Sequence, residues 1–396
     1  MARRVRHSPA KQQRGVALLV VFLIILLAGM GIFFNKLNSN SPIARDQRTA
    51  AALAQARDAL IGYAASYGDT HSGQVFGFLP CPDIDNDGSA ETCDQKNVTV
   101  VGRLPWKTLD LPDLRDADGE CLWYAVSGSF KNNPDPDLLN WDSAGQLRVV
   151  DARSGQVLVD ADDLAGNDGG AAAVIFAPGP PIAGQQRPTG NQTCSGSAAN
   201  TYAAYIDSGS FPSAGSVTVK QGVRGDATVN DRLIWITPRE IFKRIHQRGS
   251  DDFATMINAR LKAIGIELNA KGMLPAPLNG TTFGAKRVGA LPPGELAAGT
   301  LHRDWATRWN DQMRYLVCSP ESQCLSVDGA PCRGALVFTG ERIGGGPRTS
   351  TQKTQAETYL NGVNVAAITG NAVLLHAEGA EYSLLAPTAD VVLCLP

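Results

Sequence analysis

Residues 16–34 read VALLVVFLIILLAGMGIFF, a run of nineteen residues with no charged or hydrogen-bonding side chain. A helix rises about 1.5 Å per residue, so this run matches a hydrocarbon core of about 30 Å. The preceding residues 1–15 form a leader that has no acidic side chain and five basic ones: Arg3, Arg4, Arg6, Lys11 and Arg14. The positive-inside rule therefore predicts a single-pass membrane protein with a cytoplasmic N-terminus and with residues 35–396 facing outward.

The junction between the leader and the apolar run is Arg14-Gly15-Val16. It resembles the class III leader of type IV pilins and type II secretion pseudopilins. The resemblance implies that a prepilin peptidase cleaves between Gly15 and Val16 and leaves the apolar helix on the mature subunit. Val20 stands at the fifth mature position, where most family members have Glu. In lacking this Glu, the chain resembles a minor or tip subunit of the family. An uncleaved signal anchor is the alternative.

The composition is that of an exported, folded ectodomain. The chain has 43% hydrophobic and 19% charged residues, enough apolar material for about two domains. Its formal net charge is −2, and removal of the five positive charges of the leader changes this to −7. An acidic exterior argues against nucleic acid as a partner.

Eight cysteines occur without a Cys-x-x-Cys pair, which argues against a zinc cluster and favours disulfides in an oxidising periplasm. The disulfide candidates are Cys81, Cys93, Cys121, Cys194, Cys318, Cys324, Cys332 and Cys394. Four fall in each half of the ectodomain, so two bridges per half is the simplest arrangement. Spacing does not determine connectivity, and we expect the local pairs Cys81–Cys93 and Cys324–Cys332.

The two halves of the ectodomain carry similar motifs in the same order, which predicts an internal duplication. Each half has a helical stretch, a Leu-Pro-x-Pro segment, a Gly-x-Leu-Pro segment, two strand-like runs and a Gly-containing stretch that ends in Arg. In the first half these are residues 43–67, 78–82, 102–106, 122–126, 171–178 and 184–187. In the second half they are residues 238–268, 273–277, 289–292, 313–317, 334–339 and 344–348.

We therefore predict an α+β fold, with an N-terminal transmembrane helix followed by two tandem pilin-like heads, each a helix packed on an antiparallel sheet. The predicted segments are the basic leader 1–15, the transmembrane helix 16–34, a hinge 35–42, the first head 43–237 and the second head 238–396. Ser41-Pro42 supports the hinge, because proline disfavours helix in the residue before it.

Start signals and apolar spacing predict the two head helices. Thr237-Pro238-Arg239-Glu240 is a capping-box sequence, and apolar residues then recur at three- and four-residue spacing, so we expect one helix from Pro238 to about Leu268. The Ala-rich first helix should expose its basic residues Arg45, Arg48 and Arg57 to solvent.

The sharpest chemical signal is residues 83–94, which read DIDNDGSAETCD. Loops of the Asp-x-Asp-x-Asp-Gly type hold Ca²⁺ with alternate carboxylates, and the glycine permits the sharp turn. The predicted ligands are carboxylates, one carbonyl and one water-mediated contact, from Asp83, Asp85, Asp87, Ser89, Glu91 and Asp94. Pro80 and Pro82 exclude the entering helix of an EF-hand. A turn with solvated acids is the alternative.

Catalysis finds little support in the sequence, because the histidines are scattered and no nucleophile, metalloprotease or phosphate-loop motif occurs. We therefore predict a non-enzymatic minor pilin- or pseudopilin-like subunit of the bacterial inner membrane, which initiates or caps a type IV pilus or a type II secretion pseudopilus. Its partners would be other pilin or pseudopilin subunits, prepilin peptidase and the inner membrane. A signal-anchored periplasmic binding protein or adhesin that does not polymerise is the main alternative, and a membrane-tethered hydrolase is the third.

Overall fold

The computed structural model describes residues 21, 22, 24, 25, 41–93, 95–160, 169–187, 194, 201–248, 252–319 and 322–396. The predicted leader, the predicted cleavage site between Gly15 and Val16, most of the apolar run and residues 35–40 of the predicted hinge lie outside these residues. Within the apolar run, Val21, Phe22, Ile24 and Ile25 are helical and exposed. Across the described residues, no helix combines the length and the apolar character needed to span a bilayer.

Contacts divide the chain into residues 1–51 and residues 52–396. Helix α1 (Pro42–Thr70) begins in the first of these units. The Ser41 hydroxyl oxygen accepts a hydrogen bond from the backbone N–H of Ala44 at 3.1 Å, and Pro42 follows this cap. Because proline needs no backbone donor in the first turn, the sequence starts the helix here.

In the larger unit, α1 buries a stripe of mostly small and aliphatic side chains: Leu53, Ala56, Leu60, Ile61 and Ala64. These residues recur at intervals of three and four, which places them on one face of the helix. The predicted first head helix is confirmed. Arg57 differs from the prediction, because its guanidinium pairs with Glu240 and donates to the carbonyl oxygen of Trp235 at 3.2 Å. It joins residues 43–237 to residues 238–396 and is not a solvent-exposed charge.

The described part of the first half contains seven strands: β1 (Val100–Arg103), β2 (Trp123–Val126), β3 (Leu147–Asp151), β4 (Val157–Val159), β5 (Ala173–Ala177), β6 (Val217–Gln221) and β7 (Arg232–Ile236). Strands β1, β2, β5 and β7 form an antiparallel sheet in that order. A second sheet has the order β4-β3-β6, in which β3 is antiparallel to β4 and parallel to β6.

The second half begins with helices α2 (Pro238–Gln247) and α3 (Asp252–Ala270) and continues with the shorter helices α4 (Leu301–Arg308) and α5 (Gly362–Thr369). Its described strands are β8 (Leu278–Phe283), β9 (Lys286–Ala290), β10 (Met313–Cys318), β11 (Leu325–Val327), β12 (Ala330–Cys332), β13 (Gly334–Phe338), β14 (Leu374–Leu375) and β15 (Val391–Leu395). One antiparallel sheet has the order β8-β9-β10-β13-β15. The other has the order β12-β11-β14, with β11 antiparallel to β12 and parallel to β14.

The same topology therefore occurs twice. Strands β9, β10, β13 and β15 of the second half repeat the order of β1, β2, β5 and β7, and in each half a three-stranded mixed sheet is inserted at the same two points of the chain. The second half adds the hairpin strand β8 at the edge of its sheet. This repeated order is the arrangement that the predicted duplication requires.

Each central strand buries both of its faces. Tyr124 and Ile175, which pair across β2 and β5, lie in the core that contains the buried face of α1. Their neighbours Trp123 and Phe176 point to the opposite face and pack against the three-stranded sheet. Because successive side chains of a strand alternate between faces, each half is built as helix, antiparallel sheet and small mixed sheet.

The predicted single helix over residues 238–268 is wrong, because α2 and α3 are separate helices. The predicted cap is confirmed: the Thr237 side chain accepts from the Glu240 N–H, and Glu240 accepts from the Thr237 N–H at 2.9 Å. Gly249 follows α2 in the sequence and is a common helix terminator. Two helices can each turn an apolar stripe to the core, and Phe242 of α2 and Phe253 of α3 are both buried there.

Four disulfides link the described cysteines, two in each half: Cys81–Cys93, Cys121–Cys194, Cys318–Cys324 and Cys332–Cys394. The expected Cys81–Cys93 pair is confirmed, whereas the expected Cys324–Cys332 pair is wrong. The reason is strand pairing, since β13 follows Cys332 and lies beside β15, which carries Cys394. Four disulfides indicate an oxidising, extracytoplasmic location.

Both halves contain a buried arginine that stacks on a tyrosine. Arg187 donates to the carbonyl oxygen of the residue before Tyr205 at 2.8 Å, and its guanidinium lies 4.8 Å from the Tyr205 ring centre. Arg348 donates in the same way at 2.7 Å to the residue before Tyr359, with a ring distance of 4.1 Å. The repeat thus extends from strand order to individual side-chain contacts.

A buried polar seam joins the halves. The Asp142 carboxylate, from the loop before β3, accepts from the Arg348 guanidinium at 2.7 Å, and both side chains are at most 1% exposed. The adjacent Trp141 donates its indole N–H to the Gln312 amide oxygen at 2.9 Å. Side chains from both halves also occupy one hydrophobic core. A buried ion pair that bridges two segments specifies how they dock, because either charge alone would be costly to bury.

Candidate metal centre

The acidic loop that follows Cys81 is held at both of its ends. The Cys81–Cys93 disulfide closes its base. At the start of the loop, Asp83 and Arg103 exchange two backbone hydrogen bonds of 3.0 and 2.8 Å, which attach the loop to the edge of β1. The loop is therefore an extension of the sheet edge and not a free surface segment.

Asp83 organises the turn from inside. Its side chain is fully buried, and one carboxylate oxygen accepts from the N–H groups of Asn86 and Asp87 at 2.6 and 3.2 Å. The other oxygen accepts from the Gly88 N–H at 2.8 Å. Asn86 and Gly88 both adopt positive φ, so the chain folds tightly around this carboxylate.

The turn brings four carboxylates together. One ligand atom from each of Asp83, Asp85, Asp87 and Glu91 lies within 4.8 Å of all the others. Three hydrogen bonds orient these side chains: Asp85 accepts from the Asp87 N–H at 3.1 Å, Asp87 from the Ser89 N–H at 2.6 Å and Glu91 from the Ile84 N–H at 2.6 Å. An acidic cluster that could hold a metal ion is thus present, as the sequence pattern predicts.

Burial and mutual repulsion raise the pKa of two carboxylates of the cluster, Asp83 and Glu91, whereas hydrogen bonds from Ser89 lower the pKa of Asp87. Burial raises the pKa of Asp83, with a further rise from the charges of Asp87 and Asp85. Burial, together with the charges of Asp83, Asp85 and Asp87, raises the pKa of Glu91 to about 7. A divalent cation would remove this repulsion, because it replaces carboxylate–carboxylate contacts with attractive ones.

The donors of the cluster suit a hard cation. The four ligand atoms lie within 4.8 Å of one another, close enough to share one ion. Carboxylate oxygens are also the donors that Ca²⁺ prefers. The four residues therefore fit this ion.

The remaining two predicted ligands are not among the four. Ser89 is half-buried at the end of the turn, and its contribution was predicted to be a backbone carbonyl. Asp94, the predicted closing carboxylate, lies outside the described residues. The structure therefore assembles Asp83, Asp85, Asp87 and Glu91 and leaves Ser89 and Asp94 as predictions.

Several residues that hold the loop have no signature in the sequence. Trp106 packs beneath the turn, where a Cβ on Gly88 would lie 2.7 Å from the indole nitrogen, so only glycine fits there. Lys107 donates to the Asp87 carbonyl oxygen, and the Thr108 hydroxyl accepts from the Ala90 N–H at 2.8 Å. The buried Lys131 ammonium donates to the carbonyl oxygens of Cys93 and of residue 95. These contacts come from segments outside the loop. Trp106, Lys107 and Thr108 directly follow the Gly-x-Leu-Pro motif, whereas Lys131 belongs to no predicted motif.

Comparison with protein-family models, with curated proteins and with solved structures finds no match for this chain.

Proposed function

We propose that the chain is a non-enzymatic, minor pilin- or pseudopilin-like subunit, anchored in the bacterial inner membrane by residues 16–34, with a duplicated periplasmic ectodomain. The observation that carries this proposal is made in the first half of the chain. There a 29-residue helix starts shortly after the apolar run and buries one face on an antiparallel sheet. The four disulfides agree with a periplasmic location. In this proposal the subunit initiates or caps a pilus or a secretion pseudopilus.

One histidine lies beside a carboxylate and a hydroxyl but lacks the geometry of a general base. His302 lies 2.7 Å from the Glu267 carboxylate and 3.3 Å from the Thr300 hydroxyl, which superficially resembles a catalytic triad. Both partners contact the same ring nitrogen, Nε2. A general base needs one nitrogen for the nucleophile and the other for the orienting acid. This arrangement therefore does not activate the hydroxyl.

Leader cleavage tests the proposed pathway. We expect the chain produced with an active prepilin peptidase to begin at residue 16, and to begin at residue 1 or 2 without it, as measured by intact mass and N-terminal sequencing. A Gly15→Leu variant should stay unprocessed, while Gly29→Ala, a small change within the apolar run, should be cleaved like the wild type. An unprocessed wild-type chain beside an active peptidase would contradict the proposal and favour the signal-anchored binding protein.

We also propose that the acidic loop binds calcium and so stiffens the edge of the first sheet. Four carboxylates whose oxygens lie within 4.8 Å of one another carry this proposal. Calcium should raise the melting temperature of the intact chain, and chelation should reverse the rise, because the ion binds only the folded loop.

Substitution of one ligand distinguishes a bound ion from general screening. Asp85→Asn removes an exposed carboxylate of the cluster, and we expect at least about a tenfold loss of calcium affinity by calorimetric titration. Asp137→Asn removes an exposed carboxylate paired with Lys96 outside the cluster, so it should bind calcium like the wild type. Equal affinity in the wild type and Asp85→Asn would rule out this loop as the site.

A further inference from the structure

The dipeptide Asn-Gly occurs twice in the sequence, at Asn279-Gly280 and at Asn361-Gly362, and both copies lie in the second half of the chain. Asparagine followed by glycine is especially prone to spontaneous deamidation, because glycine has no side chain to shield its backbone nitrogen from the asparagine amide. The two copies have different surroundings in the fold. They therefore provide an internal comparison of how tertiary structure controls this reaction.

Asn279-Gly280 lies at an irregularity in strand β8. The register of β8 with β9 shifts between Leu278 and Thr281, and neither Asn279 nor Gly280 has a paired residue in β9. Asn279 is exposed, and its side chain makes no hydrogen bond with any residue of the described ranges. Its backbone has a φ of 67° less than a trans-extended value would require in sign alone, at +49°, a region that asparagine tolerates better than most residues. Neither strand pairing nor a side-chain hydrogen bond thus holds this amide in place.

Asn361-Gly362 is held by its surroundings. The Asn361 side-chain nitrogen donates to the Glu378 carboxylate at 2.7 Å and to the Thr388 carbonyl oxygen at 3.0 Å. The backbone N–H of Asn361 donates to Asp390 at 2.9 Å, and helix α5 begins at the next residue, Gly362. Turning the Asn361 amide toward the Gly362 nitrogen therefore costs hydrogen bonds. The fold protects this copy of the dipeptide.

We propose that the fold directs spontaneous deamidation to Asn279, whose neutral amide is converted to a carboxylate. The Gly280 nitrogen loses its proton and forms a bond to the side-chain carbonyl carbon of Asn279. The bond between that carbon and the side-chain nitrogen breaks, and ammonia leaves with the proton. Water then opens the resulting succinimide ring at either of its two carbonyl carbons, which yields an aspartyl or an isoaspartyl residue.

The reaction introduces a negative charge into an edge strand that has none. Strand β8 reads LNGTTF and is the outer strand of the five-stranded sheet. The Arg287 side chain lies beside the site, and its Nε donates to the Gly280 carbonyl oxygen at 3.4 Å, so the new carboxylate has a cation nearby. Charge on an edge strand opposes pairing with further strands. Deamidation thus changes an uncharged sheet edge into a charged one.

Peptide mapping by mass spectrometry tests the proposal on the full-length chain, aged in detergent micelles at mildly alkaline pH. We expect Asn279 to be converted at least about tenfold faster than Asn361, because one hydrogen bond of ordinary strength can change a rate by about this factor. In the reduced, denatured chain the two residues should react at similar rates. Equal rates in the folded chain, or the same rate ratio in the denatured chain, would overturn the proposal.

A matched pair of variants tests the attack by the Gly280 nitrogen. Gly280→Ala should slow the reaction of Asn279 at least about tenfold, because the added methyl group shields that nitrogen. This shielding also acts in the denatured chain, so the comparison holds even if the variant loosens β8. Gly272→Ala adds a methyl group in open space and should react like the wild type. An unchanged rate in Gly280→Ala, or a product without isoaspartate, would contradict the ring-forming step.

Discussion

Single residues show why the two halves keep the same backbone path. Gly102 pairs with Tyr124 in the first half, and Gly289 pairs with Tyr315 in the second. A Cβ on Gly102 would lie 2.5 Å from the Asp83 carbonyl oxygen, and a Cβ on Gly289 would lie 2.4 Å from a carbonyl oxygen of β8. Both glycines are needed because another stretch of main chain crosses them closely.

These two glycines offer a matched pair of variants. We expect Gly102→Ala and Gly289→Ala each to lower the free energy of unfolding by about 1–3 kcal/mol, because the new methyl group collides with backbone. Only Gly102→Ala should also weaken calcium binding, since Asp83 is the residue displaced. Denaturant unfolding and calcium titration of both variants check this. A similar loss of calcium affinity in Gly289→Ala would contradict the location of the site.

At the level of elements, each half has an aspartate directly before its last strand. The carboxylate of this aspartate accepts hydrogen bonds from an earlier part of the same half and so anchors it. Asp231, before β7, accepts from the N–H of residue 207 at 2.7 Å. Asp390, before β15, accepts from the N–H of residue 361 and from the Asn364 side chain, both at 2.9 Å. Burial raises the pKa of both aspartates, that of Asp390 to about 6. At neutral pH, ionisation of these buried carboxylates therefore has an electrostatic free-energy cost.

This cost predicts a pH dependence of stability. Between about pH 4 and pH 6 the folded chain keeps the Asp390 proton that the unfolded chain has lost, so the contribution of Asp390 to the free energy of unfolding should fall as pH rises. The shift from 3.8 to about 6 corresponds to up to about 3 kcal/mol. Asp390→Asn keeps an acceptor oxygen without the charge. In guanidinium chloride unfolding at a series of pH values, the midpoint of this variant should therefore lack the pH dependence that Asp390 contributes. A profile parallel to that of the wild type would contradict the assignment.

In the molecule as a whole, residues 52–396 form one contact unit although their topology repeats. Trp141 of the first half stands at the centre of the junction, 4.6 Å from the ring of Trp309 and 5.7 Å from that of Phe338, both in the second half. The buried Asp142–Arg348 pair lies beside it. The halves therefore depend on each other for burial of their aromatic and charged side chains.

This dependence predicts cooperative unfolding. With their disulfides intact, residues 52–396 should unfold in one calorimetric transition, with equal van't Hoff and calorimetric enthalpies. Trp141→Ala removes a 5%-exposed side chain and its hydrogen bond to Gln312, and it should lower the free energy of unfolding by about 3–5 kcal/mol. Two resolved transitions in the wild type would show instead that each half is independently stable.

The features predicted from sequence are those set by near neighbours along the chain. The capping box at Thr237, the long first helix and the converging carboxylates of Asp83, Asp85, Asp87 and Glu91 each depend on contacts within about twelve residues, so local pattern is enough to find them. The α+β class and the repeated motif order follow from the same kind of signal.

Other features depend on which distant segments meet, and only the folded chain decides them. The pairing of Cys332 with Cys394 follows from the contact of β13 with β15. Arg57 and Trp106 acquire their roles from partners in remote parts of the sequence, Glu240 and Cys194. Long-range burial and pairing have no fixed spacing along the chain, which is why tertiary structure alone specifies them.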